Sequence, residues 1–180
     1  GGAATGGAAT GGAGTGGAGT GGAGTGGAAA GDTAHYNFES SNQDWGMAAG
    51  GGVITSVARS TAQHFAGVAA LAGSMTAVAG KMYIIEVEPP TPPIPPAAVV
   101  TFHVYVPASA VLSSIQPYVL ETGTYRFTGT KTTSANITRN AWTTIRVTVP
   151  ADAAAILRVG VQFESTGSWS DTVFIDSVDW

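Results

Sequence analysis

The sequence predicts an all-β protein, an antiparallel β-sandwich, on the basis of three observations. Apolar residues recur at every second position in about ten short segments, which is the period of a strand that buries one face. These segments follow one another at intervals of roughly 8–15 residues, with polar turns between them. No window carries a sustained helical stripe with capping residues. Strands without intervening helices are typical of sheet-on-sheet packing.

The first 31 residues are predicted to form a disordered linker. Residues 1–30 consist of Gly, Ala and Thr alone, in a repeat of GGAAT, GGAGT and GGAAA pentads. Such a composition lacks the apolar surface needed to offset about 1–2 kcal/mol of backbone entropy for each ordered residue. We therefore assign residues 1–31 to a low-complexity Gly/Ala/Thr linker and residues 32–180 to one folded domain.

Ten segments of the domain alternate apolar and polar residues, some more regularly than others. In residues 99–106 the even positions are Val or Phe, whereas the odd positions include Thr, His and Tyr. In residues 157–164 the apolar row is predicted to begin at Leu157. The clear strands are residues 99–106, 115–120, 144–149, 157–164 and 172–180, and the weaker ones are 34–39, 53–60, 68–75, 82–88 and 125–129.

Composition excludes several classes of function. The chain has no Cys, so it has no disulfide, thiolate metal site or cysteine nucleophile. Its formal charge is −4 and its seven Lys and Arg residues are scattered, so we expect no nucleic-acid partner. No apolar run approaches the roughly 20 residues of a spanning helix, so we expect no membrane partner. The chain begins with Gly and shows no leader sequence, and we interpret it as a piece of a longer precursor.

Several short phrases follow one another along the predicted domain: YNFE (36–39) with Trp45 after it, QHFAG (63–67), TFHVYVP (101–107), IQPYV (115–119), WTTIRVTVP (142–150) and VFIDSV (173–178). Together they resemble carbohydrate-binding modules of bacterial plant-polysaccharide hydrolases, of the galactose-binding-like jelly-roll type. The resemblance covers about residues 34–180. It implies a jelly-roll module that is secreted and extracellular, binds a polysaccharide or oligosaccharide, and is covalently linked to a catalytic domain. We also expect a monomer.

The polar faces of three predicted strands supply candidate ligand-binding residues. A sugar needs flat apolar surfaces and fixed hydrogen-bonding groups, and Tyr, His and Gln provide both. If the three strands are neighbours, one face carries a continuous band of such groups. The alternative is an ordinary solvated outer face. The candidates are His103 and Tyr105 on the first strand, Gln116 and Tyr118 on the second, and Arg158 and Gln162 on the third.

Three further residues are assigned to the ligand site. Trp169 lies among small polar residues between two strands, where it either stacks on a ligand or forms a lid on the end of the sandwich. The resembling modules often place a Trp-rich segment near Tyr125 and Arg126, and these two residues are the weaker substitutes here. The other tryptophans are predicted to be packing residues: Trp45, Trp142 and Trp180.

Two acids stand inside otherwise apolar strands, Glu39 near the start of the domain and Asp176 near its end. A carboxylate in such a place is unfavourable unless it is paired. The resemblance implies a structural calcium ion held by these acids and by carbonyls of the loop near residues 65–69, with Asn37 as a weaker third ligand, and calcium prefers such oxygen ligands. Hydrogen bonding to backbone amides or to Arg59 is the alternative.

The resulting hypothesis is a non-catalytic module that targets a linked glycoside hydrolase to plant cell-wall β-glycans, of the β-glucan or mannan type. Although the chain has eleven Asp and Glu residues, none stands in a phrase that resembles a hydrolase active site. Two alternatives remain open. One is a small jelly-roll glycanase or lyase, and the other is a structural or adhesion β-sandwich.

Overall fold

The structure is a computed structural model that describes residues 32–48 and 52–180, so the predicted linker lies outside the described residues. The described part consists of strands, turns and one short 3₁₀ helix, Ser134–Asn136. No helix in these two ranges is long and apolar enough to cross a membrane. In chain order the strands are β1 (Gly46–Met47), β2 (Ile54–Ser60), β3 (Ala70–Ala77), β4 (Met82–Val87), β5 (Val99–Val106), β6 (Leu112–Glu121), β7 (Phe127–Gly129), β8 (Thr132–Thr133), β9 (Ala141–Thr148), β10 (Ile156–Ser165) and β11 (Trp169–Asp179).

The strands form two antiparallel sheets. Sheet I has the order β1-β4-β10-β6-β7, with β8 also paired to β6, and sheet II has the order β2-β3-β11-β5-β9. Neighbours such as β4 and β10, or β3 and β11, are distant in sequence, because the chain crosses between the sheets as it proceeds. The prediction of an all-β antiparallel sandwich is confirmed.

The core lies between the two sheets. It is filled by the apolar side chains that recur at every second position of the strands. The buried row of β5 consists of Val100, Phe102, Val104 and Val106. The central strands of sheet I supply the facing layer, which includes Ile115, Val119, Val159, Val161 and Phe163. Successive side chains of a strand point to opposite sides, so a second row from each strand lies on an outer face. These outer faces carry the six candidate site residues that the sequence analysis selected on strands.

Residues 34–39 do not form the predicted strand, since only Tyr36 pairs with β11, through a single bridge. Phe38 has a φ of 55°, which turns the backbone out of the extended conformation. The Gln43 side chain then replaces a strand partner by accepting the Phe38 N–H at 2.7 Å. The segment still contributes to the core, because Tyr36 and Phe38 pack on the buried Trp45, as predicted for this tryptophan.

A bulge changes which residue of β10 enters the core. Ile156 pairs with Glu121 and Arg158 pairs with Leu120, so Leu157 is an extra residue on its strand. The alternation therefore shifts by one position, and Ile156 is buried whereas Leu157 is only partly buried. The prediction that Leu157 begins the apolar row was wrong for this reason.

Candidate functional site

The six strand-face candidates lie on two opposite outer faces of the sandwich. The sequence suggested one band if β5, β6 and β10 were neighbours. β6 and β10 are neighbours in sheet I, but β5 lies between β9 and β11 in sheet II. The single band was therefore wrong, because alternation assigns a residue to a face while strand pairing assigns that face to a sheet. The outer face of sheet I carries Gln116, Tyr118, Arg158 and Gln162, and the outer face of sheet II carries His103 and Tyr105.

Gln116 and Gln162 face each other across the two central strands of sheet I. They are direct partners in the β6–β10 register, where side chains on one face lie about 5 Å apart. Among the described residues, the hydrogen bonds beside them join Ser114, Lys131 and Glu164, and neither amide takes part. Each amide offers two N–H donors and one carbonyl acceptor to a ligand. The two side chains line a cleft of about 160 Å³ with Met82, Ser114, Lys131 and Glu164.

Tyr118 lies across sheet I instead of projecting from it. Gly160 pairs with Tyr118 on one side and with Glu86 on the other, and the Tyr118 hydroxyl donates to the Glu86 carboxylate. The phenol ring therefore passes over Gly160. Only 3% of Tyr118 is exposed. Burial, with the hydrogen bond to Glu86, raises its pKa. Tyr118 supports the face from within the molecule and does not offer a free ring to a ligand, which corrects the prediction.

An exposed aromatic ring on this face belongs to Phe127, which the sequence analysis did not select. Phe127 stacks on Tyr118 with ring centroids 4.9 Å apart and an interplanar angle of 20°. Its side chain is 42% exposed, and a Cβ on Gly129 would lie 3.0 Å from its ring and 3.2 Å from Gln116. The ring thus borders the Gln116 side of the cleft. Tyr125, which was selected, is exposed in the turn before β7.

Arg126 lies at one end of the sandwich, where its guanidinium group is hydrogen-bonded to two carboxylates. Its guanidinium bonds to Glu121, and its NH1 and NH2 groups lie 3.2 and 3.0 Å from the two carboxylate oxygens of Asp152. Glu121 also accepts the Ala154 N–H at 2.8 Å. The hydrogen bond from Arg126 lowers the pKa of Glu121. These contacts give Arg126 a structural role, and its assignment to the ligand site stays a prediction.

The charged groups of the sheet I face form two separate sets of ion pairs, one around Arg158 and one around Lys131. Arg158 lies 2.6 Å from Glu88 and 3.5 Å from Glu86. Lys131 Nζ lies 3.0 Å from Glu164 Oε2, and this hydrogen bond is the main cause of a lowered pKa at Glu164. The Lys131 set belongs to the cleft that holds the two glutamines. Both cations on this face are therefore neutralised by the protein itself.

Trp169 is buried at the start of β11 and does not stand in an exposed loop. Only 7% of it is accessible, and its indole N–H donates to the Ser165 hydroxyl at 3.0 Å. Ser165 Oγ lies 3.0 Å from the Val111 carbonyl oxygen and 2.7 Å from that of Gly167, and its single O–H donates to one of them at a time. The ligand-stacking interpretation was wrong, since strand pairing with β3 already begins at this residue and turns the indole inward.

The outer face of sheet II carries an aromatic cluster. The Phe65 ring stacks on His103 at 3.6 Å and meets Trp142 edge-on at 6.0 Å. Trp142 in turn contacts Tyr105, which packs on Phe174. Burial lowers the pKa of His103. Trp142 was predicted to be a packing residue, and its partners are these outer-face rings, so it packs outside the core between the sheets.

The predicted metal ligands Glu39 and Asp176 converge on one loop. Asp176 accepts the backbone N–H groups of Phe65 and Ala66 at 2.7 and 3.1 Å. Glu39 accepts from two further amides of the same loop, at 2.9 and 3.4 Å. These are the amide hydrogen bonds that the sequence offered as the alternative to calcium. Burial raises the pKa of Asp176 to about 7.

The two carboxylates at this loop are not balanced by a basic side chain in the described part of the chain. Within the described residues, neither carboxylate is paired with Lys or Arg, and Arg59 donates to the Glu39 backbone carbonyl, at 2.9 Å. Asn37 already accepts the Glu39 N–H at 3.1 Å. The described residues contain no group of three His, Cys, Asp or Glu side chains placed to hold a metal. Backbone carbonyls would have to complete the six to eight oxygens that calcium takes. Calcium stays a prediction.

Comparison with solved structures identifies the architecture. A carbohydrate-binding module of the β-sandwich superfamily, described as having promiscuous specificity, aligns at a TM-score of 0.75 and 22% identity, over 84% of this chain and 63% of that one. The chain has the fold of a β-sandwich carbohydrate-binding module. A module specific for non-crystalline cellulose aligns at a TM-score of 0.59 and 17% identity, over 81% and 92% of the two chains. A xylan-binding domain of Paenibacillus barcinonensis aligns at 0.54 and 16%, over 84% and 95%.

The fold alone does not identify a ligand, so the ligand has to be inferred from the side chains of the site. No protein-family model and no curated protein sequence matches the chain. The solved modules just described are 16–22% identical to it, so the likeness establishes architecture. Two of them bind different glycans, cellulose and xylan. The groups on the outer faces therefore carry the functional argument.

Proposed function

We propose that this protein is a non-catalytic module that binds a plant β-glycan, of the β-glucan or mannan type, on the outer face of sheet I. The observation that carries the proposal is the pair of amides of Gln116 and Gln162. They stand side by side in a cleft, half-buried and without protein partners in the described part of the chain. Because these accessible amides are not engaged by the described protein groups, their donors and acceptors are free to bond to the hydroxyl groups of a ligand in the cleft.

The groups around the glutamines match the two sides of a pyranose ring. Hydroxyl groups both donate and accept, as do the amides. The exposed ring of Phe127 offers a flat apolar surface to the C–H side of a sugar, and Tyr118 holds that ring from behind. The Phe127 ring and the Gln116 side chain both lie close to Gly129, which has no side chain to separate them. His103 and Tyr105 are assigned no contact with this ligand.

The carboxylates of the face support binding and not hydrolysis. A glycosidase needs one carboxylic acid that is protonated at the working pH and a second carboxylate beside it. Glu86 is held by Tyr118 and Arg158, and the hydrogen bond from Lys131 lowers the pKa of Glu164. Lys131 thus favours the ionised form of Glu164, and Glu86 already has two protein partners. The glycanase or lyase alternative is disfavoured on this ground.

The same proposal assigns the module a role in a larger, secreted and extracellular protein. A repeat of Gly, Ala and Thr over residues 1–31 has the composition of a flexible tether. A tethered module keeps a linked glycoside hydrolase near an insoluble substrate, which raises the effective concentration of the enzyme there. The module itself acts as a monomer in this scheme.

Affinity electrophoresis through gels that contain soluble glucans, mannans or xylans tests the proposal. At least one glycan should retard the protein, without release of reducing sugar. Gln116→Ala and Gln162→Ala should each weaken association about three- to tenfold, because each removes one set of hydrogen bonds. Tyr105→Ala, on the opposite face, is the control and should migrate like the wild type. Loss of retardation in Tyr105→Ala, with both glutamine variants unaffected, would move the site to sheet II.

A further inference from the structure

The ionised groups on the sheet I face are arranged so that neither cation is available to an acidic ligand. Arg158 is held by Glu86 and Glu88, at 3.5 and 2.6 Å. Lys131 is held by Glu164, at 3.0 Å. These two sets stand at opposite ends of the Gln116–Gln162 pair, because Arg158 and Glu164 are at opposite ends of the β10 row.

The charges of the two sets add up to an excess of negative charge. Three carboxylates and two cations give a formal charge of −1 on this face, within a chain of formal charge −4. A carboxylate or sulfate on a ligand would therefore approach a face of like charge. It would also have to displace an existing carboxylate to reach Lys131 or Arg158. A neutral hydroxyl meets neither obstacle, since it can donate directly to Glu86 or Glu164.

We infer that this face selects neutral glycan chains over polyanionic ones, and that Glu164 is a specificity-determining residue because it neutralises Lys131 inside the cleft. The inference rests on the proposed function and adds to it the residue by which the face excludes polyanionic chains. Arg158 has two acidic partners, so loss of one leaves the other. Lys131 has one side-chain carboxylate partner among the described residues, and both groups of this pair are about half exposed. Removal of Glu164 therefore leaves a free ammonium group next to both glutamines.

Glu164→Gln is suited to this test because its shape is conserved. The glutamine amide can still accept the Ser114 hydroxyl, which lies 3.1 Å from Glu164 Oε2 in the wild type. The substitution changes the formal charge of the Lys131 set from 0 to +1 and that of the whole face from −1 to 0. Asp171→Asn is the matched control, because it makes the same change in net charge on an exposed residue of β11 in sheet II.

The experiment uses one neutral polysaccharide that retards the wild type and a carboxymethylated derivative of the same backbone. The wild type should bind the charged derivative more weakly. Glu164→Gln should gain about two- to fivefold in affinity for that derivative, and about 0.5 M NaCl should remove the gain by screening. Asp171→Asn should show no gain. Lys131→Gln should reject the charged derivative more strongly than the wild type, which keeps the test informative if Glu164→Gln folds poorly.

Three results would overturn the inference while the proposed function stands. They are equal binding of both polysaccharides by the wild type, no gain in a folded Glu164→Gln variant, and an equal gain in Asp171→Asn. Absence of retardation by every neutral glycan would instead refute the proposed function, and the inference with it.

Discussion

The Tyr118 hydroxyl donates to the Glu86 carboxylate across Gly160, the residue that lies between them in the sheet. This relationship explains why a tyrosine on an outer face is buried, and why Phe127 becomes the exposed ring above it. It also ties three strands of sheet I together beside the cleft. Glycine is required at position 160 because β4 approaches it closely: an added Cβ would lie 2.7 Å from the Ile85 carbonyl oxygen.

The first prediction concerns this close approach of β4 to Gly160. Gly160→Ala should lower the free energy of unfolding by about 1–3 kcal/mol, because the new Cβ would lie 2.7 Å from both Glu86 Cβ and Ile85 O. Chemical denaturation measures the effect. Gly46→Ala is the control: Gly46 occupies the same row of the sheet, and its added Cβ would meet nothing within 4 Å. Equal stability of the two variants would contradict the close approach of β4 to Gly160.

The second prediction tests the exposed ring. Phe127→Ala should weaken glycan binding by about 0.5–1.5 kcal/mol, since the proposed apolar platform is lost. Isothermal titration calorimetry with a retarding oligosaccharide would show the change. Phe65→Ala is a matched control on the opposite face, where Phe65 has a similar exposure of 45% and also stacks on a neighbouring ring. A larger loss in Phe65→Ala than in Phe127→Ala would count against the sheet I site.

The third prediction is a dependence of stability on pH. Arg126 lowers the folded-state pKa of Glu121 below the ordinary value of 4.5, so the folded state favours the ionised carboxylate. The resulting stabilisation is present above that value and is lost as the pH falls through the lowered pKa. The free energy of unfolding should therefore decline below about pH 4.5, and less steeply in Glu121→Gln. Parallel profiles for the wild type and Glu121→Gln would refute this explanation; Asp171→Asn is the reference for loss of an exposed acid.

The fourth prediction concerns calcium at the loop that Glu39 and Asp176 share. We expect EDTA to lower the melting temperature and added calcium to restore it, because a bound cation stabilises the folded state by mass action. Asp176→Asn should lose this response. Asp44→Asn, an exposed acid at a positive φ that Asn also adopts, should keep it. An unchanged melting temperature in EDTA would mean that the amide hydrogen bonds alone satisfy the two carboxylates.

The fifth prediction separates core from site at Trp169. Trp169→Ala should lower the free energy of unfolding by about 3–5 kcal/mol, because it empties a buried position and leaves Ser165 without its indole partner. Glycan affinity, measured well below the melting temperature of the variant, should stay close to the wild-type value. A stable variant with lost affinity would restore the stacking interpretation.

The strands could be predicted closely because their signal is local. The segments read as residues 99–106, 82–88 and 53–60 correspond to β5, β4 and β2 within about one residue at each end. Two of the errors come from local conflicts, whereas the short strands β1 and β8 were not predicted at all. The positive φ of Phe38 interrupts the first predicted strand, and the bulge at Leu157 shifts the alternation at the start of β10.

The site could be predicted only in part. Gln116 and Gln162 were selected because they alternate with core residues, and they are direct partners in the structure. Phe127 was missed, because its ring reaches the cleft only when β7 pairs with β6 beside Tyr118. The sequence did not indicate the contact of Arg126 with Asp152 or the burial of Trp169 against Ser165, because these partners become neighbours through turns whose geometry the sequence does not specify.

The sequence by itself determined the fold class, the core-facing rows and the polar composition of the outer rows, because side-chain alternation follows from the two-residue period of a strand. Only the tertiary structure decided which outer rows share a surface. Strand order in a sandwich depends on long-range pairing, and that pairing separated His103 and Tyr105 from the two glutamines. The same long-range pairing buries Tyr118 over Gly160 and leaves Phe127 as the exposed ring stacked on it.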